Sequence, residues 1–217
     1  REIVATTDDD GREPLVSFGF LEDEDGRILV REPQTLVKGG VNVAASVVPG
    51  GRDLIFTRAN SASPAEVHHA SADGLTVAPL TKHNAPLLAQ LELHAAEGFS
   101  FPGADGDKVS GWIVKPPGFD PSKKYPVLFL IHGGPQGAWH DEWHARWNYG
   151  LFAAPGYVVV AVNPRGSTGY GQKFTLQISK DWTGRVYEDL MKGLDHALKT
   201  YPYLDSSRMA AAGGSYG

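Results

Sequence analysis

At 217 residues, with 41% hydrophobic and 21% charged residues and 26 glycines, the chain has the composition of a globular protein of one large or two modest domains, not of a disordered or fibrous one. A net charge of −5, with 8 Lys/Arg against 15 Asp/Glu in residues 1–99, excludes the basic footprint of a nucleic-acid partner. The lack of cysteine excludes a disulfide framework and thiolate chemistry and leaves the compartment open.

No apolar run approaches the roughly 20 residues of a helical membrane span, so no membrane segment is expected in this chain. Arg1-Glu2-Ile3-Val4 lacks a signal-peptide pattern and reads as mid-protein sequence. The acidic runs Asp8-Asp9-Asp10 and Glu22-Asp23-Glu24-Asp25 read as solvated loop surface.

Residues 14–80 read as short strands over 15–20, 28–31, 41–48, 53–57, 67–71 and 75–80. They are separated by Asp25-Gly26, Gly50-Gly51 and Asp73-Gly74, pairs that supply the positive φ a hairpin turn needs. Hairpins spaced by about 50 residues suggest propeller blades, whose repeats run to about 40–50 residues. The chain is expected to enter near the end of such a propeller.

From about residue 97 the pattern changes. Two strands are expected over 99–101 and 109–115, then a loop through Pro116-Pro117-Gly118, then a strand over 127–131 whose continuous apolar run fits burial on both faces. A helix-compatible stretch over 144–154 precedes a β-branched strand over 157–162. Residues 184–200 form an amphipathic helix with Val186, Leu190, Leu194, Ala197 and Leu198 on one stripe, ended by Pro202. A strand of small residues over 208–213 follows. Strand, helix, strand, helix, strand implies a parallel sheet with right-handed crossovers, an α/β fold.

That last strand runs into Gly213-Gly214-Ser215-Tyr216-Gly217. A serine nucleophile is lifted above a sheet on a sharp strand-to-helix turn, and the crowding there requires glycine on both sides. Ser215 is therefore the candidate nucleophile. His132-Gly133-Gly134-Pro135 follows the strand over 127–131. An oxyanion hole takes one amide from the residue after the nucleophile, Tyr216, and one from a glycine-rich loop after an earlier strand, where Gly134 is the candidate.

With Gly111-Trp112-Ile113-Val114-Lys115-Pro116-Pro117 and the run from Asn163 through Pro164, Arg165 and Gly166 to Tyr170-Gly171, these motifs resemble the prolyl oligopeptidase family of serine peptidases, in its acylaminoacyl and dipeptidyl peptidase branches. The resemblance covers nearly the whole chain. It implies the last blades of a β-propeller over residues 1–92, acting as a size filter, and the N-terminal half of an α/β-hydrolase domain over 93–217, ending at the nucleophile elbow. The implied substrates are short peptides with dipeptidyl, acylaminoacyl or oligopeptide specificity, cleaved through an acyl-enzyme without a cofactor. The family's triad runs Ser, Asp, His, so Asp181, Asp189, Asp195, His132 and His196, all upstream of Ser215, match neither partner. The triad Asp and His are expected to be absent from this chain, and residues 1–217 alone to be inactive. A carboxylesterase or lipase of the same fold, and a non-catalytic peptide-binding relic, remain alternatives.

Two further motifs invite other chemistry. His140-Asp141-Glu142-Trp143-His144 has the i, i+4 histidines of a zinc peptidase, but Asp141 occupies the place of its glutamate and no third ligand is evident, so no metal is expected. Gly166, Gly169 and Gly171 reverse the dinucleotide fingerprint and lack a Gly-Lys-Ser/Thr, so they read as a sharp turn in which Arg165 ties loops together. His68-His69 reads as exposed strand.

Overall fold

The computed structural model describes residues 2–217. Residues up to Leu87, with His140–Trp143, form one compact unit; Leu88–Trp139 and His144–Gly217 form the other.

The first unit is built from antiparallel strands: β1 (Glu2–Thr6), β2 (Leu15–Glu22), β3 (Ile28–Val30), β4 (Gln34–Val37), β5 (Val41–Val47), β6 (Leu54–Asn60), β7 (Ser63–Ala70) and β8 (Val77–Pro79). β1, β3 and β4 all pair with β2, while β5-β6-β7-β8 is a four-stranded meander. The alternating pattern locates six of these strands. β1 and β4 are not among them, because neither carries a marked apolar face: β1 has no buried residue and β4 only Val37. Leu15, Val37, Leu54, Phe56 and Ala70 form the core. The Asp73-Gly74 turn needs its glycine twice over: φ is +72°, and a Cβ would lie 2.1 Å from the Leu36 carbonyl oxygen.

A short helix, α1 (Ala85–Leu88), lies between the units in sequence. The second unit contains β9 (Glu97–Pro102), β10 (Lys108–Val114), β11 (Tyr125–Ile131), α2 (Tyr149–Ala153), β12 (Val158–Asn163), α3 (Gln172–Leu176), α4 (Arg185–Thr200) and β13 (Leu204–Gly213). Its five strands lie in the order β13-β11-β12-β10-β9. β11 pairs in parallel with β12 and β13, whereas β10 runs antiparallel to both β12 and β9. The three strands of the strand, helix, strand, helix, strand run, β11, β12 and β13, are parallel as expected, and β10 and β9 add an antiparallel edge that makes the whole sheet mixed; β9 and β10 are joined by a tight turn too short for a crossover.

Successive β12 residues face opposite ways, so its run of valines is buried twice. Val158, Val160 and Val162 pack with Phe101, Phe129, Leu190 and Ala197 on the α4 side. Val159 and Ala161 pack with Trp112, Trp139 and Tyr149 on the α2 side. Each such fully buried valine contributes about 1.5–3 kcal/mol.

Helix α4 follows the apolar stripe, and the Asp181 carboxylate at its start accepts from the Gly184 N–H at 3.0 Å. The helix anticipated over 144–154 is shorter. His144 Nδ1 accepts from the N–H groups of Arg146 (3.0 Å) and Trp147 (2.9 Å), holding a turn, and the Asn148 side chain caps α2 by accepting from Leu151 N–H at 3.0 Å.

Candidate active site

Parallel pairing of β11 with β13 sets Ile131 beside Gly213. Residues 132–134 and 214–216 therefore leave the same end of the sheet from adjacent strands. Ser215 sits there with φ +61°, a left-handed backbone conformation that a serine rarely adopts and that marks a strained turn. The turn closes with a Gly217 N–H bond to the Gly214 carbonyl at 3.1 Å.

The neighbouring glycines are sterically required. A Cβ on Gly213 would lie 2.4 Å from the carbonyl carbon of Gly217, and one on Gly217 only 2.2 Å from the Ile131 oxygen. A Cβ on Gly133 would meet the Gly214 oxygen at 2.8 Å and the Ser215 Cβ at 3.2 Å. Gly134 has φ +133° and is exposed. Ser215 is exposed as well.

The loop after β11 is fastened by residues that the motif analysis did not single out for function. Asn163, fully buried at the end of β12, accepts from Trp139 N–H at 2.7 Å and donates to the Trp139 carbonyl at 2.9 Å. The Trp112 indole donates to that same carbonyl at 2.9 Å. His132 lies with Nε2 2.9 Å from Ser167 Oγ and Nδ1 2.8 Å from the Gly133 oxygen. Ser167 Oγ in turn donates to the Pro164 carbonyl at 2.6 Å, and Thr168 N–H donates to Gly137 at 3.0 Å. The stretch over 163–168 therefore braces the loop carrying Gly133 and Gly134. The sequence signal for this was the run from Asn163 to Gly171, read as a sharp loop-tying turn after a buried strand, although the tie was expected from Arg165 rather than from Asn163 and Ser167.

Of the acids and histidines upstream of Ser215, Asp189, His132 and His196 are engaged in the scaffold. Arg165 and Asp189, both fully buried, meet through Nε–Oδ2 at 2.8 Å. Asp189 also accepts from the N–H groups of Ala104 (2.8 Å) and Arg165 (2.9 Å). The His196 ring stacks on Phe99 and Phe101. Asp195 is exposed on α4.

The Tyr216 hydroxyl donates to the Trp182 carbonyl, and its ring meets the Trp182 indole edge-on, centroids 5.6 Å apart at 90°. Burial, with the Asp181 carboxylate nearby, pushes the Tyr216 phenol up from its ordinary value, so it keeps its proton. In the first unit Asp8, Glu13 and His140 offer ligand atoms within 4.8 Å of one another. Burial raises the Glu13 carboxyl, with the Asp8 and Glu142 charges acting in the same direction and His140 against it. No described helix is long and apolar enough to cross a membrane.

A mixed sheet with helices on both faces, whose strand β13 runs into a serine held at positive φ beside a glycine loop, defines the class: an α/β protein with a strained serine turn at the end of a parallel strand. Residues 143–217 match the model described as "Prolyl oligopeptidase family". The chain is 42% identical over 176 residues to dipeptidyl-peptidase 5 of Schizosaccharomyces pombe, covering 81% of this chain and 25% of that protein. It is 38% identical over 219 residues to probable dipeptidyl-peptidase 5 of Aspergillus clavatus, covering 100% of this chain and 29% of that protein. Among solved structures it is similar to Pyrococcus horikoshii acylaminoacyl peptidase (TM-score 0.79, 25% identity, 98% of this chain and 32% of that one). It is also similar to an acylaminoacyl peptidase in complex with Z-Gly-Gly-Phe-chloromethyl ketone (TM-score 0.82, 25% identity, 99% and 32%). The chain belongs to the prolyl oligopeptidase family. It spans between a quarter and a third of the length of these relatives.

Proposed function

We propose that the protein carrying this sequence is a serine peptidase acting on short peptides, with Ser215 as nucleophile. The observation that carries the reading is Ser215 at φ +61° on a glycine-walled turn directly beside the Gly133-Gly134 loop. Ser215 Oγ attacks the scissile carbonyl carbon, and a histidine base paired with a carboxylate takes the hydroxyl proton. The C–N bond then breaks, the amine leaves with that proton, and an acyl-enzyme remains on Ser215 for water to hydrolyse. His132 is not assigned as the base, because each of its ring nitrogens already faces an oxygen of the supporting loops. The amides of Gly134 and Tyr216 are assigned to the oxyanion.

The first unit is read as the last blades of a propeller that limits substrate length. Its four-stranded antiparallel meander β5-β6-β7-β8 supports this, as do the dipeptidyl- and acylaminoacyl-peptidase relatives.

The test is labelling of the intact protein with a fluorophosphonate, together with turnover of aminoacyl, dipeptidyl and acylaminoacyl amides against short acyl esters. Ser215→Ala is expected to abolish labelling and lower kcat on the amides by several orders of magnitude with the fold retained. Cleavage of esters alone would establish a carboxylesterase, and absence of both labelling and turnover a peptide-binding protein; either result overturns the proposal.

A further inference from the structure

Ser215 and Tyr216 share the peptide group whose N–H is assigned to the oxyanion, and the strained turn around it does not by itself fix where that N–H points. Rotation of the 215–216 peptide out of this strained left-handed geometry would swing the amide away. Catalysis by pre-aimed donors requires that such a rotation be blocked before substrate arrives.

The structure contains a tether suited to block it. The Tyr216 side chain reaches across to residue 182, where its hydroxyl donates to the Trp182 carbonyl and its ring packs edge-on against the indole. A carbonyl oxygen can only accept, so the phenol is the donor, and its raised pKa keeps it protonated. The anchor is itself braced by hydrogen bonds. The Asp181 carboxylate, adjacent to Trp182, accepts from Gly184 N–H at 3.0 Å and from Arg185 Nε at 2.9 Å, locking the 181–184 turn onto the start of α4. Arg185 is further tied to Asp105 at 3.3 Å.

We propose that the Tyr216 hydroxyl, held by the Trp182 carbonyl, is a positioning group that fixes the 215–216 peptide for oxyanion binding. The proposal rests on the assignment of Ser215 as nucleophile and adds a side-chain role to a residue otherwise used only for its amide.

Tyr216→Phe in the intact protein retains the ring and deletes the hydroxyl. Losing one neutral hydrogen bond in the transition state is expected to lower kcat on a peptide amide roughly tenfold, with KM changed less than about twofold. Affinity for a peptide aldehyde, whose adduct with serine places an oxygen in the same hole, is expected to fall in parallel, while affinity for a product-like peptide acid stays constant. If Tyr216→Phe turns over as the unaltered protein does, or loses aldehyde and product affinity equally, the tether has no positioning role. A lowered Tm with unchanged kcat would likewise reduce it to a packing contact. If the unaltered protein does not label at Ser215, the nucleophile assignment itself fails, and this proposal with it.

Discussion

Gly133 and Ser215 approach so closely that a Cβ on the glycine would stand 3.2 Å from the serine Cβ and 2.8 Å from the Gly214 carbonyl oxygen. Gly133→Ala must therefore displace the elbow or the loop by a few tenths of an ångström or more. A misplacement of about 1 Å at a reacting group costs on the order of a hundredfold, so a drop in kcat of tenfold to a hundredfold is expected. Gly137→Ala, in the same loop with only an ordinary 3.5 Å contact to the Gly133 oxygen, is expected to stay within about twofold in kcat on the scale of surface substitutions. Steady-state kinetics of the two variants side by side checks this.

The Gly134 amide needs a different experiment, because its φ of +133° makes both alanine and proline sterically disruptive there. An amide-to-ester replacement at Gly134 by semisynthesis removes the N–H alone. It is expected to cost about 3–4 kcal/mol of transition-state stabilisation, seen in kcat with little change in KM. A rise confined to KM would place Gly134 in substrate binding instead.

Arg165→Met leaves the Asp189 carboxylate buried without its guanidinium partner and is expected to destabilise the protein by about 3–5 kcal/mol in urea unfolding. The double variant Arg165→Met/Asp189→Leu should recover only part of that loss. Asp189 also accepts from the Ala104 and Arg165 backbone N–H groups, which the double variant leaves without that acceptor.

Acid should loosen the start of β13. Asp205 accepts from Ser207 N–H (2.9 Å), Ser207 Oγ (2.6 Å) and Arg208 Nε (2.7 Å), and these bonds lower its pKa from 3.8 to about 2. A carboxyl whose folded pKa is depressed contributes stability that is present above the unfolded value of 3.8 and is lost as pH falls towards about 2. Asp205→Asn is expected to lower Tm at neutral pH and to flatten the pH dependence of Tm across that window. An acid limb identical to that of the unaltered protein would show that the Asp205 contacts carry no weight.

The local pattern made much of this legible. Continuous apolar runs announced β11 and β12, one amphipathic stripe announced α4, and glycine spacing announced the tight turn around Ser215 and the loop at Gly133-Gly134. Those features depend on side-chain period and on backbone conformations that glycine alone tolerates, both properties of a few adjacent residues. Helix α3 went unread because it is a single turn or so, five residues directly after a glycine-rich turn, and α2 was drawn too long because the His144 and Asn148 side chains, rather than propensity, decide where it starts.

The sequence by itself determined which segments become buried strands and where a strained serine can stand. Only the tertiary structure decided the order β13-β11-β12-β10-β9, which brings Ile131 beside Gly213, and the long-range bonds of Asn163 to Trp139, Arg165 to Asp189 and Tyr216 to Trp182. Those pairs join residues tens of positions apart. Whether a buried Asn or Arg finds its partner depends on where the chain returns after a crossover, and that is set by the packing of α2 and α4 on opposite faces of the sheet rather than by any run of neighbouring residues.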